Sequence, residues 1–204
     1  SFHTFKRDGL TGSETQGKTL LVAGVGNIGS EVCKIGAGLG MTVYGVDLVE
    51  KYNFVNYTAV EEVLPEADIV VCAMNLNPTS RGYFTYQKLK TAKPGAIFIN
   101  IARGEMSPSA DLLKLIKEGH LGGLGMDVYN QEALLAVSLR HQKTSDDPEV
   151  QAVLELVKHP NVIFTPHMAG ASLDTWARRI QIAYENFKRI VIGQPPHFVV
   201  NPDF

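Results

Sequence analysis

The sequence predicts an α/β domain built on a doubly wound, mostly parallel sheet. Three observations carry that prediction. Short β-rich apolar runs alternate with helical patterns, several runs are apolar at consecutive positions, and the first feeds directly into a glycine-rich turn. The strands are expected at 18–24 (KTLLVAG), 42–47 (TVYGVD), 68–74 (DIVVCAM), 96–101 (AIFINI), 121–128 (LGGLGMDV) and 161–165 (NVIFT). After the first strand, Ile28, Val32, Ile35 and Leu39 recur at helical spacing and predict one apolar face. Ser107 and Pro108 read as the cap and first position of a later helix, which Gly119 ends. In the last long helix Trp176, Ile180, Ala183, Phe187 and Ile190 form the apolar stripe, with Arg178, Arg179, Glu185 and Lys188 facing out. Residues 130–148 are polar and long for a strand–helix connection, which predicts a functional loop or a mobile excursion. The chain divides into a lead-in at 1–17, a sheet-and-helix body at 18–191 and an extended, Pro-rich tail at 192–204.

Composition removes several alternatives. A chain of 204 residues, 45% of them hydrophobic, can bury a core without staples. The formal net charge is −2 and no basic run occurs, so neither nucleic acid nor an anionic membrane is expected as a partner. Cys33 and Cys72 stand apart in apolar segments with no CxxC, which points to core residues and to no metal site. No apolar run approaches the ~18 residues of a membrane helix, and the start, SFHTFKR, has no apolar signal core. A soluble, cytoplasmic protein is expected.

The glycine turn is Gly24-Val25-Gly26-Asn27-Ile28-Gly29. Glycines here serve a tight turn, close approach of backbone to a diphosphate, and close helix–strand packing, while the helix N-terminus offers free N–H groups. Asp47 ends the second strand 18 residues after Gly29. An acid there accepts from the ribose hydroxyls and repels a 2′-phosphate, so NAD is expected rather than NADP. A GxGxxG alone is a weak signal; its place between strand and helix, with the acid following, strengthens it.

Ligand crevices in such sheets lie beyond the carboxyl ends of the strands. Three polar residues fall there: Arg103 after AIFINI, Glu132 just past LGGLGMDV, and His167 after NVIFT. Each alone is the kind of residue that solvated loops carry. Together they fit one job. An Arg fork grips a carboxylate, a His passes a proton, and a carboxylate beside that His fixes its orientation and favours the imidazolium. That set suits hydride transfer on a 2-hydroxy or 2-oxo acid.

From about residue 18 to 202 the chain resembles the NAD-binding domain of the D-isomer-specific 2-hydroxyacid dehydrogenases. The resemblance rests on VAGVGNIG, NLNPTSRGYF, INIARGEMSPSADLLKLIKEGHLGGLGMDVYNQE and TPHMAGAS. It implies Arg103, Glu132 and His167 as the catalytic set. It implies cofactor contacts at Asn27 and Ile28, at Asp47, from Met74 and Asn75 to Pro78, and at Ile101, Ala102 and Arg103. Asp127 would face the carboxamide, and the turn from His167 to Gly170 would lie beside the nicotinamide. A homodimer is implied as well. Ala133 stands where the family usually has Pro, and Asn75 and Asn77 where Pro and Thr are common. The 130–148 segment is longer than in many members, as in the D-lactate-dehydrogenase-like branch. These departures leave the substrate open.

The family binds substrate between two domains, the second built mostly from sequence ahead of the cofactor domain. Only 17 residues precede the first strand here, so a domain-sized piece of a longer dehydrogenase is expected. Two other readings stand beside it: a non-catalytic, NAD-sensing interaction module related to the same family, and a methyltransferase-like nucleotide domain. Parallel titration with NADH and S-adenosylmethionine separates the latter.

Overall fold

In the computed structural model, which describes residues 12–197, the six predicted strands form with a few residues trimmed from their ends. They are β1 (Thr19–Ala23), β2 (Thr42–Val46), β4 (Ile69–Cys72), β5 (Ala96–Asn100), β6 (Leu121–Met126) and β7 (Val162–Phe164); a short β3 (Asn56–Tyr57) is added. Every pairing is parallel and the order is β3-β2-β1-β4-β5-β6-β7. The winding therefore reverses between β1 and β4, and the carboxyl ends of those two strands open the crevice in which such sheets bind ligands. The sheet is doubly wound, as expected, and parallel throughout the described residues. The expected lead-in and tail lie partly outside the described residues.

Strand alternation sorts the core into two sides. Leu21, Ala23, Val70, Cys72, Phe98, Leu124 and Met126 face the larger cluster, which Phe84, Leu89, Leu112, Leu115 and Leu156 complete. Leu20, Val22 and Val71 face the smaller one with Val25 and Cys33. Both cysteines are buried and free. Burial pushes both thiols up to about 11, so they are core residues, as their apolar segments indicated.

The helices are α1 (Asn27–Gly38), α2 (Val60–Val63), α3 (Tyr86–Lys90), α4 (Ser109–Lys117), α5 (Glu132–His141), α6 (Pro148–Leu156) and α7 (Leu173–Val191). Four expectations need correcting. First, α1 does not bury its apolar stripe: Ile28, Ile35 and Leu39 are exposed, and Gly29, Ser30, Cys33 and Gly36 are buried instead. The cause is distance, since a Cβ on Gly36 would lie 2.3 Å from Leu20 Cδ2. Only the small-residue face fits that close to the sheet. Second, Pro108 rather than Ser107 caps α4, with Gly119 beyond its end at φ +66 as expected. Third, residues 130–148 are not simply a loop. EALLAVSLRH is almost all good helix formers and folds as α5, held by Leu135 and Ser138. Fourth, α7 forms as predicted but buries none of its residues. Its stripe, with Trp176 at 56% and Phe187 at 66% exposed, covers nothing among the described residues. On the same scale Ile163 of β7 is 73% exposed; α1 packs chiefly on β1 and β2.

Candidate active site

The glycine turn sits where the sequence placed it, between β1 and α1. Gly24 adopts φ +89, and a Cβ there would lie 2.5 Å from the Met74 amide nitrogen; one on Gly29 would lie 1.9 Å from the Gly24 carbonyl oxygen. Those two glycines let turn, helix and β4 close on one another. Gly26 differs, for a Cβ there meets nothing within 4 Å. Its missing side chain leaves room in the cleft itself, at the amino end of a helix that no side chain caps. A diphosphate fits that cradle.

Asp47 follows β2 and faces the turn. Its Oδ2 accepts from the Val25 amide at 2.7 Å and its Oδ1 from the Val49 amide at 3.3 Å. The carboxylate is exposed rather than buried, so it is aimed by backbone bonds and not by burial. One cavity is lined by Gly24, Gly26, Asp47, Met74 and Asn75. The next is lined by Ile28, Met74, Asn75, Ile101, Ala102 and Arg103. Shared walls at Met74 and Asn75 make them one cleft across the switch point, and its lining takes in the expected cofactor contacts from the glycine turn, Asp47 and the Arg103 turn but not Asp127, His167 or Gly170. Asn27, exposed, opens α1 beside it.

Of the three candidate catalytic residues, Arg103 lines this cleft, while Glu132 lines another cavity with Tyr129, Leu135 and Thr165. His167 Nδ1 lies 2.8 and 2.9 Å from the two carboxylate oxygens of Glu132, the first residue of α5. An ionised carboxylate only accepts, so Nδ1 carries the proton and Nε2 is the nitrogen left for a ligand. His167 itself sits at φ +52, a left-handed conformation that is uncommon outside glycine. Arg103 lies on the next turn along, its Nη1 donating to the Ala102 carbonyl at 2.7 Å. The structure thus joins His167 to Glu132 directly and holds Arg103 apart from them.

Two supporting residues shape this arrangement: Asn100, which sequence reasoning missed, and Asp127, which it expected at the cofactor instead. Asn100, fully buried, donates to the Arg103 carbonyl (2.9 Å) and Ser107 Oγ (3.0 Å) and accepts from the Ala102 amide (3.0 Å). It shapes the turn that presents Arg103. Its signal was a lone amide in an otherwise apolar strand. Asp127, expected at a carboxamide, clasps the His167 turn: Oδ1 accepts from Thr165 Oγ1 (2.5 Å) and the Met168 amide (2.9 Å), Oδ2 from the Ala169 amide (2.9 Å). Burial would raise this carboxyl, but those bonds more than offset it and hold it below the usual carboxylate range. Gly170 ends the turn close to the Arg179 guanidinium.

A switch-point cleft with a glycine cradle and an acid after β2 defines a domain of the dinucleotide-binding class. The family model for the D-isomer specific 2-hydroxyacid dehydrogenase NAD-binding domain matches residues 2–169. The chain belongs to that family and is its NAD-binding domain. It is 30% identical over 199 residues to a glyoxylate reductase of Korarchaeum cryptofilum, covering 95% of this chain and 55% of the relative. A D-3-phosphoglycerate dehydrogenase of Bacillus subtilis is 32% identical over 97% of this chain and 35% of its own. Among solved structures, Aquifex aeolicus D-lactate dehydrogenase complexed with NAD and lactic acid superposes with a TM-score of 0.85 at 27% identity, over 94% of this chain and 59% of that one. The chain thus spans about half the length, or less, of these relatives. No helix among the described residues is long and apolar enough to cross a membrane.

Proposed function

We propose that this domain serves an enzyme that moves hydride between NAD(H) and a small D-2-hydroxy acid or its 2-oxo acid. The observation that carries the proposal is the His167–Glu132 pair, whose geometry leaves Nε2 to exchange a proton with a substrate oxygen. Arg103 would leave its resting bond to Ala102 and take the substrate carboxylate with its planar fork. Gly24, Gly26 and Gly29 with the amides of Asn27 and Ile28 would hold the cofactor's diphosphate. Asp47 would take the adenosine ribose, and Met74, Asn75, Ile101 and Ala102 would wall the cleft. Asp127 Oδ2 accepts one bond within the chain and has capacity for a carboxamide donor, beside the turn from His167 to Gly170. Bound NAD(H) supplies the hydride acceptor or donor; the protein's own groups bind, orient and move the proton.

The reading extends to the setting of the protein. A homodimer is proposed on the exposed apolar rows of α1 and α7. A cytoplasmic location is proposed on two free, buried cysteines. A non-catalytic, NAD-sensing module is the alternative, and the paired His167 and Glu132 favour the enzyme.

In the chain as given, His167 and Glu132 each leave 42% of the side chain exposed, and Arg103 is exposed as well. An open site forfeits positioning that can be worth about 7–11 kcal/mol. The domain is therefore expected to bind NADH and to reduce pyruvate or hydroxypyruvate poorly. Calorimetric NADH titration and NADH-absorbance assays on one preparation test this. Failure to bind NADH would overturn the cofactor reading. Turnover close to that of a two-domain relative would show that this domain supplies a whole substrate site.

A further inference from the structure

The His167–Glu132 pair is made by two segments that are distant in sequence, and one buried side chain lies between them. Tyr129, 8% exposed, leaves the end of β6 three residues before Glu132. Its hydroxyl donates to the Thr165 carbonyl at 2.8 Å, with the Met126 carbonyl at 3.1 Å as the longer alternative. The Thr165 oxygen also accepts from the His167 amide at 3.0 Å. The carbonyl at the base of the left-handed His167 turn is thereby held from two sides. The Tyr129 ring stands edge-on to Phe164, with centroids 5.4 Å apart and planes at 77°. Its backbone meets the third segment: a Cβ on Gly104 would lie 2.0 Å from the Tyr129 carbonyl carbon and 2.1 Å from the Asn130 nitrogen. Residue 129 thus touches the strand entering the His167 turn, the loop leading to Glu132, and the turn bearing Arg103.

We propose that Tyr129 is a positioning residue whose hydroxyl keeps the His167 turn in register with Glu132, so that the imidazole holds its proton on Nδ1 and presents Nε2. The proposal rests on the His–Glu reading of the site and adds the group that aligns it. Asp127 clasps the turn downstream, at Met168 and Ala169, and Tyr129 fixes it upstream. Burial, and then the charges of Asp127 and Glu132, push the phenol up to about 12, so the hydroxyl remains a donor throughout the neutral range.

The test reads the tautomer of neutral His167 from its ring nitrogen-15 shifts in the full chain, a signature that packing alone does not set. Wild type should show mainly the Nδ1–H form. Tyr129→Phe keeps the ring on Phe164 and removes only the hydroxyl. It should shift at least about a third of that population to the Nε2–H form, which the Glu132 contact no longer suppresses. Phe164→Leu, which keeps the hydroxyl, should leave the ratio near wild type. Glu132→Ala should give the ratio of a free imidazole. A wild-type ratio in Tyr129→Phe, with Glu132→Ala shifted, overturns the proposal while leaving the pair intact. A ratio that Glu132→Ala does not move overturns the His–Glu reading itself, and the proposal with it.

Discussion

At the scale of single residues, the acids Asp47 and Asp127 are held in different ways. Asp47 is exposed and aimed by the Val25 amide, so the NAD selectivity proposed for it would come from a held charge rather than from burial. NADH should bind at least about tenfold tighter than NADPH, a difference of ~1.4 kcal/mol. Asp47→Asn keeps an acceptor for Val25 and should narrow that ratio. Equal fluorescence titrations of the two cofactors on the unmodified chain would refute the role. Asp127 is buried and accepts three bonds from the His167 turn. Its folded carboxyl titrates below the unfolded value of ~3.9. The stabilisation it gives is therefore complete above that value and is lost as pH falls through the folded one. Asp127→Asn replaces one acceptor oxygen by an NH2 donor that faces other donors, and should cost about 1–3 kcal/mol at neutral pH. Urea melts should show that cost shrinking as the pH drops below about 4.

At the scale of elements, glycines decide which surfaces meet. Gly36→Ala places a Cβ 2.3 Å from Leu20 Cδ2 and should destabilise the chain by about 1–3 kcal/mol, although alanine is the better helix former. Ile35→Lys, at a position 63% exposed, should change stability by no more than about 0.5 kcal/mol in a monomeric preparation. The reverse order in thermal melts would mean that α1 packs on its apolar stripe after all. Gly104→Ala meets backbone, not a movable side chain, at 2.0 Å. It should cost roughly 3 kcal/mol and separate the Arg103 turn from the Glu132 loop.

At the scale of the whole molecule, the larger cluster is closed and the opposite side is partly bare. Ile163 is exposed, and so is the stripe of α7 at Trp176, Ile180 and Phe187. Exposed apolar area of that kind marks a surface that associates. Sedimentation at micromolar concentration is expected to show a dimer. Ile180→Glu with Phe187→Glu should weaken association where α7 takes part, and should leave NADH titration unchanged. A monomer at all accessible concentrations would refute the dimer.

What the sequence by itself determined is the part written in local chemistry. Consecutive apolar runs alternating with helical patterns specify parallel strands, and glycines between a strand and a helix specify the cradle. Arg103, Glu132 and His167 stood out as candidates because each follows a strand in a sheet whose strand ends all open on one side, and the structure pairs the last two. Which face of α1 turns inward was decided only by the tertiary structure, because close packing selects Gly29, Cys33 and Gly36 over larger side chains. The same holds for the supports at Asn100, Tyr129 and Asp127, whose bonds to Arg103, Thr165 and Met168 join positions that only the folded sheet brings together. No local pattern encodes a hydrogen bond across 36 residues; the parallel pairing of β6 with β7 creates it.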